Sequence, residues 1–201
     1  SSKLIHGGIR YLENFEFHLV FEALNERTKL FEIAPHLVHP LRFMIPLYDS
    51  SRVGMFKMGL GMWVYDALSL FQAPEFHERL NAKGSLSRMP ILKHEGLRGS
   101  YIYSDAYMDD DRLVHESLRS AHEQGAVCVN YVKGIQVKWS DKNHFESLIV
   151  EDQITKEKIQ VRGQHMISTL GPWTDLFGHE VMKTWEDVLR PTKGIHLTFS
   201  N

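Results

Sequence analysis

The sequence is poor in cysteine, since Cys128 is the only one among its 201 residues. One cysteine forms neither an internal disulfide nor a thiolate zinc cluster, so both kinds of cross-link are excluded within this chain. Cys128 lies in the apolar run AVCVNYV, residues 126–132. This run predicts a buried strand in a protein that is kept in a reducing compartment.

An excess of positive charge is also missing. The chain carries 23 Lys and Arg against 25 Asp and Glu, which gives a formal net charge of −2. Proteins that bind nucleic acid need a basic field, so no nucleic-acid partner is expected. A small anionic substrate would need a local cluster of cations instead. The 12 histidines form no HxxxH or HxH pair, so no metal site is expected either.

Long uninterrupted apolar runs are absent as well. The longest candidate, residues 53–71, contains two charged residues and three glycines, which favours a buried or interfacial helix over a membrane span. Two alternatives remain open for it. In the first, the helix packs against a sheet as part of the core. In the second, Phe56, Trp63 and nearby apolar side chains enter a bilayer while Arg52 and Lys57 meet lipid phosphates.

The spacing of apolar residues predicts the main elements. Residues 16–33 repeat apolar side chains at helical spacing and stop before Pro35. Residues 109–125 begin with acidic residues and end on a glycine, which predicts another helix. Residues 39–48 predict a short strand, flanked by prolines, at a sheet edge. Short β-branched segments separated by turn signals predict strands with hairpins over 126–170.

These elements predict a mixed fold of the α/β (α+β) class. The helices are concentrated in the first two thirds of the chain. We expect a helix-rich region over residues 1–125 and a β-rich region over residues 126–201. Two stretches within these regions contain residue types suited to chemistry.

The first stretch is SSKLIHGGIRYLE, residues 1–13. Its two glycines allow close approach of the backbone to a ligand, and its amides and serines suit phosphate oxygens. Arginine commonly binds a phosphate or carboxylate through two parallel N–H groups, which makes Arg10 a candidate for such a contact. His6 is suited to accept a proton near neutral pH. The alternative is a plain loop that happens to contain one histidine and one arginine.

The second stretch is HMISTLGPWTDLF, residues 165–177. A β-rich run enters the turn TLGPW, and a helix is expected from Trp173. Gly171 and Pro172 would let the backbone approach a bound cofactor. The alternative is a connecting turn with no ligand.

Six segments in one order make the pattern specific. They are SSKLIHGGIRYLE, APHLVHPLRFMIP, GLRGSYIYSDAYMDDDRLV, GAVCVNY, ISTLGPW and RPTKGIHL. Together they resemble the FAD-dependent glycerol-3-phosphate dehydrogenase family, which contains respiratory enzymes and their oxidase relatives. The resemblance runs along the whole chain. The segment STLGPW departs from the family's ATGPW at Ser168 and Leu170.

The resemblance implies a function. Such enzymes oxidise sn-glycerol 3-phosphate to dihydroxyacetone phosphate, with hydride transfer to FAD and electrons passed to quinone. The alternatives are an oxidase that passes electrons to oxygen, and a non-catalytic interaction module on the same scaffold. The family's FAD pyrophosphate lies on a strand–GxGxxG–helix unit, and this sequence contains no GxGxxG. We therefore expect an internal fragment of a FAD/NAD(P)-binding flavoenzyme, with an antiparallel sheet on its substrate side, that is inactive alone.

The resemblance also implies partners and a location. It implies an enzyme that is cytoplasmic and peripheral at the inner membrane. Its partners would be glycerol 3-phosphate, a quinone and the membrane surface, and a homodimer is one assembly that it allows.

The resemblance further implies roles for individual residues. The flavin contacts fall in two segments, Ser1, Ser2, Lys3, Leu4 and Ile5 in the first and Gly171, Pro172 and Trp173 in the second. The residues that face the substrate are His6, Arg10 and Tyr11. Among these, Arg10 would bind the phosphate and His6 would accept the hydroxyl proton. A strand approaching the active site would add Arg190 and Lys193 for substrate binding and His196 as a further catalytic group.

Overall fold

The computed structural model describes residues 3–140, 144–182, 184–195 and 197. Contacts between residues divide the chain into two compact units, Ser1–Ala126 and Val127–Asn201. Each unit has an antiparallel sheet of its own. The helix-rich region expected over residues 1–125 and the β-rich region expected over residues 126–201 stay predictions.

The first unit alternates strands with helices. Its strands are β1 (Leu4–Ile5), β2 (Val38–Tyr48), β3 (Glu78–Asn81) and β4 (Leu97–Met108). Its helices are a 3₁₀ helix (Ile9–Asn14), α1 (Phe17–Ile33), α2 (Met55–Leu68), α3 (Ala82–Arg88) and α4 (Asp110–Glu123). The helices expected over 16–33, 53–71 and 109–125 are confirmed as α1, α2 and α4.

Strand β4 is the centre of the first sheet. β2 lies antiparallel along one side of it, while β1 and β3 pair antiparallel with its two ends on the other side. β2 is therefore an edge strand, as expected for a segment that contains Pro40 and Pro46. The strand expected over residues 39–48 is confirmed, and at 11 residues it is long rather than short, because it pairs with β4 along its whole length.

The two faces of β4 meet different helices, because successive side chains of a strand point in opposite directions. Tyr101, Tyr103 and Asp105 lie on the face that packs against α1 and α2. Ser100 lies on the other face, where its hydroxyl is 2.8 Å from that of Ser85 in α3. The serines and the aspartate interrupt the apolar pattern, which is why the sequence did not predict this central strand.

Helix α2 has one buried face and one exposed face. Met62 and Tyr65 are buried against the sheet and α1. Phe56 is 89% exposed, Leu60 60% and Trp63 62%. Core packing, one of the two alternatives for 53–71, is thus confirmed for one face, while bilayer contact by the other face stays a prediction. Among the described residues, no helix is both long enough and apolar enough to cross a membrane.

The second unit is a three-stranded antiparallel meander with one helix against it. Its strands are β5 (Val132–Trp139), β6 (Phe145–Asp152) and β7 (Lys158–Arg162), in the order β5–β6–β7. A 3₁₀ turn (Gly171–Trp173) leads into α5 (Thr174–Val181). α5 packs on β5, where the ring of Phe177 lies over Gly134. The hairpin strands and the helix after TLGPW are confirmed.

The buried strand expected over residues 126–132 was wrong. Strand pairing begins only at Val132, and residues 126–131 have no regular structure. Val127 is 87% exposed and Cys128 is also exposed. The run has a suitable composition, but a strand needs a neighbour for its backbone hydrogen bonds, and none of the described strands pairs with it.

Two further strand expectations were wrong for the same reason. Residues 165–170, expected to enter the TLGPW turn as a strand, have no regular structure, and Ile167 is 86% exposed. The expected strand in RPTKGIHL is absent from residues 190–195 and 197, which are also irregular and exposed. Within the described part of the second unit, the sheet ends at β7.

Replacing Leu24 by Ala should destabilise the first unit, because Leu24 is 0% exposed and packs with Val20 and Tyr65 between α1 and α2. We expect a loss of about 2–5 kcal/mol in the free energy of unfolding, measured by urea denaturation of the purified chain. The matched control is Leu60→Ala on the exposed face of α2, which should cost about 0.5 kcal/mol or less. Equal losses in the two variants would contradict this description of the core.

Candidate functional site

The loop between β1 and α1 contains three of the expected site residues, His6, Arg10 and Tyr11. Gly8 starts the 3₁₀ helix in the left-handed conformation, at φ 68°, and its carbonyl accepts a hydrogen bond from the Tyr11 amide at 2.8 Å. A Cβ at Gly8 would stand 2.4 Å from the Tyr11 ring. Glycine is therefore required at this position by both backbone angle and space.

Gly7 is fixed to the core of the unit. Its amide donates to the Tyr65 hydroxyl at 3.0 Å and to Asp105 Oδ1 at 3.3 Å. A Cβ at Gly7 would stand 2.4 Å from Leu24 and 2.6 Å from the Tyr65 hydroxyl. The two glycines therefore allow close approach of the protein's own side chains, while close approach to a ligand stays a prediction.

A cleft of about 780 Å³ lies beside the 3₁₀ helix. Its walls come from the 3₁₀ helix, from α2 with the segment before it, and from the sheet. Most of its lining is apolar, from residues such as Leu12, Ile45, Met58 and Val64. The charged residues of the lining are Arg10, Arg52, Lys57 and Glu13. The sequence distributes these charges over separate segments, and the fold brings them to one cleft.

The charges of the cleft favour an anion. Arg52 Nη2 donates to Glu13 Oε2 at 2.5 Å, and this bond lowers the pKa of Glu13, with Lys57 and Arg10 acting in the same direction. Glu13 is therefore ionised near neutral pH and neutralises Arg52. Among the described residues, neither Arg10 nor Lys57 has an ion-pair partner within 4 Å. Two cations remain to face a ligand.

Tyr103 adds a phenol to the cleft wall. Burial, with Asp105 as a second cause, raises its pKa to about 12. Arg10 acts in the opposite direction, which is consistent with a guanidinium close to the phenol. The hydroxyl therefore stays protonated and can donate a hydrogen bond. The cleft can hold a small anion through two cations and a neutral donor, against an apolar wall.

The other expected site residues that the structure describes do not line this cleft. His6 is exposed next to Gly7, and Tyr11 is 42% exposed over Gly8. Lys3 lies 3.5 Å from Asp110, while Leu4 and Ile5 are half-buried in β1. Gly171, Pro172 and Trp173 form the 3₁₀ turn of the second unit, and Arg190 and Lys193 are exposed there. Ser1, Ser2 and His196 lie outside the described residues.

The sequence did not predict the cleft. Arg52 and Lys57 were considered only as lipid contacts, and Glu13 and Tyr103 carried no signal, because no fixed spacing links them to Arg10. Within the described ranges, no group of three or more His, Cys, Asp or Glu side chains could hold a metal ion.

Comparisons with known proteins show the family to which the chain belongs. The family model for FAD dependent oxidoreductases matches residues 1–201. The chain belongs to this family. It is 33% identical over 197 residues to an aerobic glycerol-3-phosphate dehydrogenase of Staphylococcus saprophyticus, covering 98% of this chain and 35% of that protein. It is 35% identical over 203 residues to an alpha-glycerophosphate oxidase of Streptococcus pyogenes, covering 98% and 33%.

The fold is also that of a solved flavoenzyme. The glycerol-3-phosphate dehydrogenase from Bacillus halodurans complexed with FAD superposes with a TM-score of 0.61 at 23% identity, covering 90% of this chain and 28% of that one. The chain thus spans about a third of the length of the curated relatives that it matches.

The described residues fit one part of FAD. Gly171 has φ 53° and open space where a Cβ would stand, and Trp173 beside it is 65% exposed. Open backbone next to an aromatic side chain suits the close approach of a flat ring. The pyrophosphate instead needs a glycine-rich turn that opens a helix. No GxGxxG exists in the sequence, so this chain suits the flavin ring rather than the pyrophosphate.

The cleft should bind inorganic phosphate with an affinity set by its charges. Lys57→Ala should weaken binding by up to about fivefold, the range of exposed charge pairs worth up to about 1 kcal/mol. Glu13→Gln should strengthen it, because the one carboxylate that opposes an anion is removed. Titration calorimetry of the purified chain measures both changes, and both should shrink in high salt.

The matched control is Lys29→Ala, which removes a lysine on α1 that pairs with Glu26. Its phosphate affinity should equal that of the unsubstituted chain. Equal weakening by Lys29→Ala and Lys57→Ala would show that only the overall charge matters and that the cleft is not a binding site.

Proposed function

We propose that this chain forms the substrate side of a flavoenzyme that oxidises sn-glycerol 3-phosphate to dihydroxyacetone phosphate. The observation that carries the proposal is Arg10, which lines a cleft with Lys57 and has no ion-pair partner among the described residues. The names of the relatives support it, since both the dehydrogenase and the oxidase are named for a glycerol phosphate.

Arg10 would bind the phosphate of the substrate. A guanidinium offers two parallel N–H groups to two phosphate oxygens, which orients the phosphate as well as holding it. Lys57 adds a second positive charge, and the Tyr103 hydroxyl adds a neutral donor. Arg10 and Lys57 are both exposed, so solvent and salt screen their charges in part.

His6 would act on the hydroxyl at C2 of the substrate. Loss of hydride from a carbinol carbon requires removal of the proton from its oxygen, and an imidazole accepts a proton near pH 7. His6 is exposed, so its ring is accessible to a ligand, and it adjoins the fixed Gly7. FAD, when bound, supplies the acceptor for the hydride. The resemblance assigns contacts with its ring to Leu4 and Ile5 of β1 and, in the second unit, to Gly171, Pro172 and Trp173.

The final electron acceptor in the proposal is a quinone. The exposed face of α2 supports this choice, because Phe56, Leu60 and Trp63 offer apolar area to a membrane surface where quinones reside. Arg52 and Lys57 are assigned to the cleft in this proposal, so the membrane contact rests on the apolar side chains. The enzyme would then be cytoplasmic and peripheral at the inner membrane. The homodimer stays a prediction without a supporting contact.

The main alternative is an oxidase that passes electrons to oxygen. It has equal support from the relatives, because a dehydrogenase and an oxidase match this chain at 33% and 35% identity. A non-catalytic module is disfavoured, because His6 and Arg10 are both present in the resembling segment. Steady-state assays with oxygen and with a quinone as acceptor separate the first two.

Arg10→Ala and His6→Ala should impair the full-length enzyme in different ways. A phosphate changes little during hydride transfer, so loss of Arg10 should raise KM by about ten- to a hundredfold, as expected for a charge-assisted bond of about 1.5–3 kcal/mol. Loss of His6 should lower kcat by about 10²–10⁴ and flatten the acidic limb of the pH–rate profile. The assay is oxidation of glycerol 3-phosphate with an artificial acceptor by flavin-replete enzyme.

Two exposed residues outside the site serve as matched controls for these variants. Arg98→Ala removes a surface arginine that pairs with Asp49, and His94→Ala removes an exposed histidine. Both should keep the kinetics of the unsubstituted enzyme. Near-normal kcat in His6→Ala would show that the proton acceptor is another residue, with His196 as the next candidate.

The membrane contact is tested by Phe56→Ser in the full-length enzyme. Phe56 is 89% exposed, and each Å² of apolar area that enters lipid contributes about 25 cal/mol. Sedimentation with liposomes should show at least a roughly tenfold lower bound-to-free ratio, and a further loss when Trp63→Ser is added. Ile91→Ser, also 89% exposed, is the matched control and should leave binding unchanged. Unchanged sedimentation of Phe56→Ser would remove α2 from the membrane interface.

A further inference from the structure

Three polar side chains form a buried network where α1, α2 and β4 meet. Arg27, Asp105 and Tyr65 are 0%, 1% and 2% exposed. Arg27 Nη1 donates to Asp105 Oδ1 at 2.7 Å and to the Ser104 carbonyl at 2.8 Å. The Tyr65 hydroxyl donates to the same Asp105 oxygen at 2.8 Å. Each of the three elements thus contributes one member.

Stability alone does not account for this network. Desolvation of a buried ion pair costs about as much as the pair returns, so apolar side chains of the same volume would serve the core at least as well. Here the cost is higher, because Arg27 Nε and Nη2 are buried without a hydrogen-bond partner among the described residues. What such a network supplies beyond stability is a fixed geometry, since each of its bonds has a narrow range of length and direction.

The network extends to the opening loop through one backbone group. Burial, followed by the charge of Asp105, raises the pKa of Tyr65, so its hydroxyl stays protonated and donates a hydrogen bond to Asp105. A lone pair of the same oxygen accepts a hydrogen bond from the Gly7 amide at 3.0 Å. The direction of every bond is thereby set, from Gly7 to Tyr65 to Asp105, with Arg27 holding the carboxylate from the other side.

Gly7 is the residue through which this network acts on the site. It has no side chain, so only its amide can be held, and it lies between His6 and the 3₁₀ helix that contains Arg10. We propose that Arg27, Asp105 and Tyr65 are positioning residues, which fix the Gly7 amide and thereby set His6 and Arg10 relative to the cleft. The kinetic consequence rests on the proposed function, whereas the anchoring of the loop does not.

The test is Tyr65→Phe in the full-length enzyme. The variant keeps the ring, which packs edge-on against Tyr103 at 5.7 Å, and removes the hydroxyl. The Gly7 amide thereby loses the shorter of its two hydrogen bonds, at 3.0 Å, and keeps only the longer one to Asp105 Oδ1, at 3.3 Å. The matched control is Tyr101→Phe. Tyr101 is 3% exposed, and its hydroxyl donates to the Met55 carbonyl at 3.0 Å, so this variant loses one hydroxyl bond between β4 and α2, whereas Tyr65→Phe loses two. The Tyr101 ring, which belongs to the cluster that Ile9 packs against, is kept.

Two measurements compare the variants. Hydrogen exchange of the peptide covering residues 4–12 should become at least about tenfold faster in Tyr65→Phe and stay unchanged in Tyr101→Phe. The unfolding temperature should fall in both variants, and further in Tyr65→Phe, because that variant loses two hydrogen bonds and the control loses one. With glycerol 3-phosphate, Tyr65→Phe should lower kcat and raise KM together, so that kcat/KM falls by about tenfold or more, because displaced groups lose catalytic geometry. Tyr101→Phe should keep both constants.

The outcomes separate this inference from the proposed function. Equal exchange and equal kinetics in the two variants would overturn the positioning role and leave the network as ordinary core. If the unsubstituted enzyme does not oxidise glycerol 3-phosphate, the proposed function fails, and the exchange measurement by itself decides whether Tyr65 anchors the loop. Faster exchange with unchanged kcat and KM would confirm the anchor and overturn its effect on the site.

Discussion

One carboxylate oxygen, Asp105 Oδ1, joins the parts of the first unit. It accepts hydrogen bonds from Arg27 in α1, from Tyr65 in α2 and from the Gly7 amide in the opening loop, while Asp105 itself belongs to the central strand β4. Removal of this charge would leave Arg27 ionised and buried without compensation, which is among the most costly changes a core can undergo. The arrangement of both helices over the sheet depends on it.

The cleft is a consequence of that arrangement. With Gly7 fixed, the chain turns at Gly8 into the 3₁₀ helix, and Arg10 reaches the same cleft as Arg52 and Lys57. Glu13 neutralises Arg52 and leaves the other two cations for a ligand. A chain with a formal net charge of −2 therefore presents a local positive site, which is what a small anionic substrate requires.

Helix α2 contacts three environments at once. Its Met62 and Tyr65 complete the core, its Met58 and Val64 line the cleft, and its Phe56 faces solvent. A helix that is apolar nearly all round can do this only when different faces meet different surroundings. Gly59 has a role in the packing as well, since a Cβ there would stand 2.4 Å from the Tyr101 hydroxyl.

The sequence by itself determined the local elements and the family. Helical periodicity predicted α1, α2 and α4, alternation and turn signals predicted the hairpins of β5 to β7, and the opening segment indicated a flavoenzyme. Only the tertiary structure decided which segments become strands, because a strand forms only where a neighbouring strand shares its backbone hydrogen bonds. β4 pairs on both sides in spite of its serines. Residues 126–131 are apolar in composition but form no strand. The cleft charges and the network around Asp105 were equally invisible, since their members come from distant segments that only folding brings within bonding distance.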